Sequence, residues 1–356
     1  ILLDELLDHR ELAVAPDWPA LKLRLQHDLQ QTDGDVERQW DQLRHFKQAQ
    51  MFQLIAQDVA GQLALEKLSD HLSDLADCIL DIALGGAWGV LRAAHCESPQ
   101  FCVIAYGKLG GKELGYGSDL DIIFLYDDEH PEAAENYARL AQRLNSWLTT
   151  YTPSGVLYET DLRLRPDGAS GLLVSSIQAF EEYQRQHAWL WEHQALTRAR
   201  FSAGNVQVGR AFERIRCDVL RQTRQSSVLR DEVIKMRDKM RQGHPIPSDR
   251  FDVKHSLGGL VDIEFIVQYL VLGYADRYAE LTDNVGNIAL LGRCAARGLI
   301  APDLALQVAD AYRELRRMQH RAWLDGLGDA RVAFERAESF AVPVVKLWQQ
   351  LVANPA

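Results

Sequence analysis

Two aspartates separated by one residue, Asp119 and Asp121, stand at the entrance of an apolar run, Asp121–Tyr126. Residues two apart in a strand share one face, so both carboxylates point the same way. They repel each other unless a cation lies between them, and Mg²⁺ prefers such oxygen ligands together with substrate phosphates. Asp161, on the polar face of a later strand, would complete the set. These three acids predict a catalytic site with two Mg²⁺ ions, which would activate an attacking oxygen and neutralise a leaving pyrophosphate.

The glycine-rich segment before Asp119 suits a triphosphate. Gly110 and Gly111 let the backbone approach without interference from Cβ atoms, and successive N–H groups there would cradle phosphate oxygens. Lys108 and Lys112 add positive charge, and the hydroxyl of Ser118 would donate to a phosphate oxygen. The patterns GxxxxGK[ST] and GxGxxG are both absent, so this is neither a P-loop nor a dinucleotide fingerprint.

Alternation over Val156–Arg165 predicts a strand with one polar side, on which Arg163 and Arg165 share a face with Asp161. A guanidinium matches phosphate geometry, so both arginines are candidates for clamping a nucleotide. The alternative is that they pair with Asp161 and Glu159 and only hold the strand.

A second distinctive segment contains Lys254 and two glycines, Gly258 and Gly259, ahead of a predicted helix. The N-terminus of a helix behind two glycines can receive an anion, which would make Lys254 a nucleotide-binding residue of a second module. Asp262 and Glu264 could equally be first-turn acids that complement the helix dipole.

Each of these features has an ordinary structural interpretation when it stands alone. A DxD pair is usually a turn or a cap, and a glycine-rich connection is usually a tight turn. Their combination along the chain, with a later acid on a polar strand face, indicates metal-dependent nucleotide chemistry instead.

The elements that must position these residues are short strands set among helices. Apolar runs predict strands over Phe101–Tyr106 and Asp121–Tyr126, and a further one over Gly171–Ser176. Helical periodicity covers most of the rest. The later predicted helices are Ala133–Thr150, Ile177–Gln186, Ala188–Ala203, Val206–Thr223, Ser227–Arg241, Leu260–Leu272, Asn284–Arg297, Pro302–Leu324 and Val332–Leu351.

The predicted fold class is therefore α+β and mostly α, with a small mixed sheet and flanking helices followed by a helical bundle. We expect three modules: leading helices over 1–95, a catalytic domain over 96–205 and a C-terminal bundle over 206–356.

Composition excludes several other classes of protein. The chain has 356 residues, 47% of them hydrophobic and 25% charged, with a formal net charge of −11. The negative charge disfavours a nonspecific nucleic-acid binder, and no apolar run is long enough for a membrane span. The five cysteines include no CxxC pair, which favours reduced thiols and a cytoplasmic location. The first ten residues predict an amphipathic helix, and without an initiator methionine we expect a fragment of a longer polypeptide.

Three segments carry a resemblance to a known family: YGKLGGKELGYGSDLD over Tyr106–Asp121, DLRLRPDGASGLLV over Asp161–Val174, and DVKHSLGGLVDIEFIVQ over Asp252–Gln268. They resemble the DNA-polymerase-beta-type nucleotidyltransferase superfamily, and more closely the glutamine-synthetase adenylyltransferases, bifunctional enzymes with two such domains in tandem. The sequences GYGSDLD, over Gly115–Asp121, and DVKHSLGGLVDIEF resemble the C-terminal, adenylylating half of these enzymes. The deadenylylating half more typically has NFSSDIDL at the position of the first.

The resemblance implies a polymerase-beta-like sheet and transfer of AMP from ATP to a tyrosine of glutamine synthetase, with release of pyrophosphate. It implies Asp119, Asp121 and Asp161 as the metal ligands, with Gly110 and Ser118 among the contacts to the triphosphate. It also implies regulation by glutamine and by a PII-type signalling protein. Where many members of the superfamily carry Gly-Ser, this chain has a second glycine, which removes one hydroxyl contact.

Three alternatives remain open. The deadenylylating half uses phosphate and releases ADP on the same scaffold. A protein uridylyltransferase would use UTP. A regulatory binding module with an inactive site would be expected to lack one of the acids, and all three are present.

Overall fold

A mixed sheet of five strands carries the acidic residues. In the computed structural model, which describes residues 14–32, 34–92, 94–245 and 249–353, the order is β3-β2-β1-β5, and β4 also pairs with β2. Strand β1 is antiparallel to β2 and β5, whereas β3 and β4 run parallel to β2. The strands are β1 (Phe101–Ala105), β2 (Leu120–Tyr126), β3 (Thr160–Asp161), β4 (Val174–Ser176) and β5 (Arg200–Gly204).

The two central strands form because their side chains are apolar on both faces. All five residues of β1 are buried, as are five of the seven in β2, the pattern of a strand covered on both sides. The strands predicted near residues 101, 121 and 171 are thereby confirmed.

Long helices cover this sheet. Up to Gln186 they are α1 (Trp18–Gln30), α2 (Val36–Val59), α3 (Leu65–Gly89), the helical turn α4 (Gly107–Gly110), α5 (Ala133–Thr149) and α6 (Ile177–Gln186). Asp17 and Asp35 cap α1 and α2 by accepting backbone N–H groups. Helix α3 is buried along most of its length and belongs to the same core cluster as Phe101 and Phe124 of the sheet.

Two elements differ from the sequence prediction. The predicted helix Ala188–Ala203 ends early: a helix covers only Leu190–Leu196, and Arg200–Gly204 is the edge strand β5. Pairing with β1 satisfies its backbone groups, and this tertiary contact overrides local helical preference. The predicted strand Val156–Arg165 shrinks to the two residues of β3.

The remaining helices form a bundle. From Leu190 on, the elements are α7 (Leu190–Leu196), α8 (Val206–Leu220), α9 (Ser226–Gly243), α10 (Leu260–Tyr274), α11 (Asn287–Ala296), α12 (Pro302–Leu324) and α13 (Phe334–Trp348), with a two-stranded sheet of β6 (Phe251–Asp252) and β7 (Arg331–Val332). Short 3₁₀ turns occur at Gly168–Ser170 and Ala279–Thr282, and a π-helical turn occurs at Gln349–Ala353. The α+β class, a small mixed sheet followed by a helical bundle, is confirmed.

The described residues divide into two compact units. The first comprises the chain up to Tyr183 together with Arg200–Glu213, and the second comprises Gln184–Ala199 and the chain from Arg214 on. The three-module division at residues 95 and 205 stays a prediction. The amphipathic helix expected over the first ten residues lies outside the described residues.

Two further observations concern the whole chain. All five cysteines carry free thiols, as their spacing predicts. In the part of the chain that the structure describes, no helix is both long enough and apolar enough to cross a membrane.

Candidate active site

Asp121 and Asp161 lie side by side because β2 and β3 run parallel in a register that pairs these two residues. The amide of Leu120 donates to the carbonyl of Glu159 at 2.9 Å and fixes that register. Asp119 immediately precedes β2 and is exposed, whereas the other two acids are half-buried. One oxygen from each carboxylate lies within 4.8 Å of the others. Three hard oxygen donors so arranged fit Mg²⁺.

The guanidinium of Arg163 stands beside these carboxylates as a counter-charge. Its Nε and Nη2 lie 2.9 and 2.5 Å from Oδ2 of Asp161. These hydrogen bonds, with the charges of Asp161, Asp121 and Asp119, raise the pKa of Arg163, and Arg163 lowers the pKa of Asp161. The side chain of Arg163 is 79% exposed, so water screens the pair and the pair contributes little to stability. The pairing alternative is therefore what the structure shows for Arg163.

Arg163 and Arg165 do not share a strand face with Asp161, because the strand ends there. The carboxylate of Asp161 accepts the N–H of Arg163 at 2.9 Å, an Asx-type turn that ends the strand. Arg165 instead braces the following loop by donating to the carbonyls of Leu162 (2.7 Å) and Ala169 (2.9 Å). The assignment of Arg165 to nucleotide binding stays a prediction.

The glycine-rich segment forms a single helical turn, α4, that abuts Asp121. The N–H of Tyr106 donates to the carbonyl of Asp121 at 2.8 Å. Gly107 has a φ of +56°, and a Cβ on it would lie 2.1 Å from Oδ2 of Asp121. Only glycine fits this position, both for its backbone conformation and for the closeness of the carboxylate.

The N–H groups of Gly110 and Gly111 close the helical turn itself, and the assignment of these two glycines to triphosphate binding stays a prediction. Their N–H groups donate within the turn, to the carbonyls of Tyr106 (2.8 Å) and Gly107 (3.0 Å), and Gly111 has an ordinary φ of −79°. Those amides are engaged in the turn, so what these two glycines offer a ligand is the absence of a side chain.

The polar residues around the turn are placed as follows. The Oγ of Ser118 accepts the N–H of Gly115 at 3.0 Å. Lys112, expected to face the triphosphate, forms an ion pair with Asp74 of α3 at 2.9 Å. Lys108 is half-buried within the turn. Lys108 and Ser118 thus belong to the segment that leads to the acids, whereas Lys112 is paired with α3.

The Lys254 segment lies in the second unit. The carboxylate of Asp262, in the first turn of α10, accepts the N–H of Gly258 at 2.6 Å and the Nε of Arg237 at 2.5 Å. Both charged side chains are fully buried. Asp262 therefore occupies the position at this helix start that an external anion would take, and its interpretation as a first-turn acid is confirmed. A contact between Lys254, which is exposed, and the nucleotide stays a prediction.

A second cluster of metal-ligating types has a structural explanation. His95, Cys96 and Asp128 bring their ligand atoms within 4.8 Å of one another. Asp128 Oδ2 is hydrogen-bonded to His95 Nε2 at 2.8 Å and to the hydroxyl of Tyr137 at 2.6 Å, while Asn136 contacts the other ring nitrogen of His95 at 3.0 Å. The two atoms that could bind a metal, His95 Nε2 and Asp128 Oδ2, are hydrogen-bonded to each other instead. The cluster connects the end of β2 to α5 through Tyr137 and Asn136.

Gly107 is a site residue that was not predicted from the sequence. Its signal is its position directly after the apolar run Phe101–Tyr106 and twelve residues ahead of Asp119, which is less conspicuous than the pair Gly110 and Gly111.

Comparisons with known proteins place these features in a family. Residues 1–215 match the family model described as glutamate-ammonia ligase adenylyltransferase, and residues 230–326 match the model of the GlnD PII-uridylyltransferase. Three relatives share the name bifunctional glutamine synthetase adenylyltransferase/adenylyl-removing enzyme. They come from Aromatoleum aromaticum (56% identical over 98% of this chain), Nitrosomonas europaea (52% over 99%) and Neisseria meningitidis serogroup A (51% over 100%).

The matched parts cover 37%, 40% and 39% of those three relatives, so the chain spans about two fifths of their length. The family model alone covers more than half of this chain, including the sheet, the glycine turn and all three acids. The chain belongs to the glutamate-ammonia ligase adenylyltransferase family.

Proposed function

We propose that this chain is a Mg²⁺-dependent adenylyltransferase that moves AMP from ATP to a tyrosine of glutamine synthetase and releases pyrophosphate. The observation that carries the proposal is the convergence of Asp119, Asp121 and Asp161 beside a glycine turn. Three carboxylates at this spacing repel a triphosphate unless cations lie between them, so metal and nucleotide are expected to bind together.

In the proposed reaction the tyrosine oxygen attacks the α-phosphorus of ATP. A new P–O bond forms, the bond from the α-phosphorus to the oxygen bridging to the β-phosphorus breaks, and the hydroxyl proton is lost to water. Asp119, Asp121 and Asp161 would hold two Mg²⁺ ions, which supply positive charge for the attacking and leaving oxygens. Gly110, Gly111, Ser118 and Lys108 would line the triphosphate.

Arg163 gains a role in this scheme because its side chain is exposed and lies beside the acids. With a metal ion on Asp161, the exposed guanidinium of Arg163 would no longer be held by that carboxylate and would still lie beside the site. Its planar fork is suited to phosphate oxygens, so we propose that it turns from the carboxylate to the nucleotide.

The assignment of adenylyl transfer, rather than adenylyl removal, rests on the sequences of two segments. GYGSDLD over 115–121 and the segment over Asp252–Gln268 resemble the adenylylating half of the family. The names of the relatives include both activities, adenylyl transfer and adenylyl removal. Glutamine synthetase as the protein substrate, and glutamine and a PII-type protein as regulators, belong to the same proposal.

The test uses unmodified glutamine synthetase and ATP labelled at the α-phosphate. Label is expected on a tyrosine in the presence of Mg²⁺ and not after chelation. Asp119→Asn is expected to abolish transfer and leave binding of glutamine synthetase intact, whereas Glu129→Gln, an exposed acid just beyond β2, is the matched control and should transfer normally. A fully active Asp119→Asn would show the metal assignment to be wrong. Because the protein would then still be an active enzyme, the same result would also exclude the inactive binding module.

Two rival activities have their own assays. The adenylyl-removing reaction predicts release of ADP from AMP-modified glutamine synthetase in the presence of phosphate, with no label transferred from ATP. A uridylyltransferase is favoured by one observation, the match of residues 230–326 to a PII-uridylyltransferase model. Competition between ATP and UTP for labelling decides this point, and preference for UTP would refute the proposed nucleotide.

A further inference from the structure

An ion pair behind the glycine turn connects three elements of the first unit. Arg200, the first residue of β5, contacts Asp77 of α3 through both terminal nitrogens, at 2.8 Å (Nη1–Oδ2) and 3.1 Å (Nη2–Oδ1). The hydroxyl of Ser202 donates to the same carboxylate at 2.5 Å. Only 13% of the Arg200 side chain and 20% of the Asp77 side chain are exposed. Such a bidentate, mostly buried ion pair has a well-defined geometry.

The same guanidinium reaches the glycine turn. Nη2 of Arg200 donates to the carbonyl of Leu109 at 3.0 Å, and Leu109 is a fully buried residue of the turn. This carbonyl stands just before Gly110 and Gly111. Because Ala105, the last residue of β1, pairs with Arg200 in the sheet register, the arginine lies next to the point where the chain leaves the sheet for the turn.

A second ion pair fastens the far end of the turn to the same helix. Lys112 has a φ of +51°, which is uncommon for a residue with a side chain. Its Nζ lies 2.9 Å from Oδ1 of Asp74, one helical turn before Asp77. The turn is thus attached to α3 at two points: through Leu109 within the turn, by way of Arg200 and Asp77, and through Lys112 two residues after the turn, by way of Asp74.

We infer that Arg200, oriented by Asp77, is a positioning residue that fixes the glycine turn for the triphosphate of ATP. The inference rests on the proposed function, because it assigns a task within the same nucleotide site. Arg200 acts through the Leu109 carbonyl, so its loss should loosen the turn and weaken nucleotide binding while the three carboxylates, held by β2 and β3, keep their places.

A control for the loss of an ion pair exists on the same helix. Lys22 pairs with Asp81 of α3 at 2.5 Å, one turn beyond Asp77, and this pair joins α1 to α3. Lys22→Met removes an ion pair from α3 without removing a bond to the glycine turn, so it separates a general effect on the helix from an effect on the turn.

The experiment measures KM and kcat for Mg²⁺·ATP in AMP transfer to glutamine synthetase, together with the Kd of a non-transferable ATP analogue in the presence of Mg²⁺ by calorimetry. For Arg200→Met we expect KM and Kd to rise about tenfold, the usual weight of a charge-assisted hydrogen bond, with kcat within about threefold of the parent. Lys22→Met should change neither KM nor Kd. Arg200→Lys keeps a charge that can reach one of the two partners and should restore part of the loss.

The double variant Asp77→Asn/Arg200→Met should have the KM of Arg200→Met alone, because the two residues act as one unit. An unchanged KM and Kd in both Arg200→Met and Arg200→Lys would overturn the positioning role. So would an equal rise in Lys22→Met. If Arg200→Met does not fold, as judged by circular dichroism, Arg200→Lys and Asp77→Asn carry the test with the same expected direction. Failure of the parent protein to bind or use ATP would refute the proposed function itself, which is a different outcome.

Discussion

Replacing Gly107 by alanine tests the acidic site without touching an acid. The Cβ of Gly107→Ala would lie 2.1 Å from Oδ2 of Asp121 and 3.0 Å from its Cγ. The carboxylate must therefore move by about 1.3 Å to reach an ordinary contact of 3.4 Å. Since Asp121 belongs to the buried strand β2, the strand resists the shift and the side chain has to rotate away.

Gly107→Ala should reduce the rate of AMP transfer far more than it reduces the free energy of unfolding. Metal–ligand distances tolerate changes of only about 0.2 Å, and a misplacement of about 1 Å near the reacting centre costs about 100-fold in rate. The backbone at φ +56° adds a conformational penalty of about 1 kcal/mol for any residue with a Cβ. We therefore expect AMP transfer to fall about 100-fold, with the concentration of Mg²⁺ for half-maximal rate increased.

The control is Gly61→Ala, which shares the backbone penalty. Gly61 has a φ of +70° and nothing within 4 Å of its missing Cβ. Both variants should lose about 1 kcal/mol in urea denaturation, whereas only Gly107→Ala should lose transfer and shift the Mg²⁺ titration. Parent-like transfer by Gly107→Ala with an unchanged Mg²⁺ titration would refute Asp121 as a ligand held against the turn.

Three further predictions concern stability and are measured by urea denaturation. Arg237→Met removes the fully buried cation beside Asp262 and leaves that carboxylate only the more distant Arg241, at 3.5 Å, so it should cost about 3 kcal/mol. A loss below about 1 kcal/mol would contradict the buried pair. Arg44 donates to four backbone carbonyls, and Arg44→Met should cost about 3 kcal/mol while Arg38→Met, exposed on the same helix, costs less than 0.5 kcal/mol. Burial would raise the pKa of Asp128, but hydrogen bonds from its neighbours outweigh it and hold the pKa at about 2. Because the pKa of Asp128 is lower in the folded than in the unfolded state, its carboxylate stabilises the fold fully above pH 3.8, and this stabilisation is lost as the pH falls toward 2. Asp128→Asn should therefore destabilise the protein more at pH 5 than at pH 3.

The local chemistry was predictable from the sequence, because it depends on residue types and short spacings. The apolar run over Asp121–Tyr126 sets β2, and the two-residue spacing sets Asp119 and Asp121 at its start. The apolar run after Pro99 similarly sets β1. These patterns need no knowledge of distant contacts, so these two predicted strands agree with the structure to within one residue.

Elements whose partners are distant in sequence were predicted poorly. Residues Arg200–Gly204 continue a helical pattern, yet they pair with β1, about a hundred residues earlier. Lys112 was expected at the triphosphate from its position next to Gly111, but its partner is Asp74 on a helix that the local pattern does not connect to it. In both cases a long-range contact decided between states that local propensity leaves nearly equal in free energy.

The position of the third acid, Asp161, is likewise set by contacts with residues distant in sequence. Strand β3 has two residues, too few to hold a register by itself. Its register depends on contacts from other elements: Thr160 donates to Asn145 of α5 at 2.6 Å, and Lys47 of α2 donates to the Leu157 carbonyl at 2.5 Å. A shift of one residue would turn Asp161 to the other side of the sheet. Helix α2, ahead of the sheet, and helix α5, between β2 and β3, therefore help to build the site. The sequence can place the carboxylates near two strands, but contacts with α2 and α5 set the register that puts Asp161 beside Asp121.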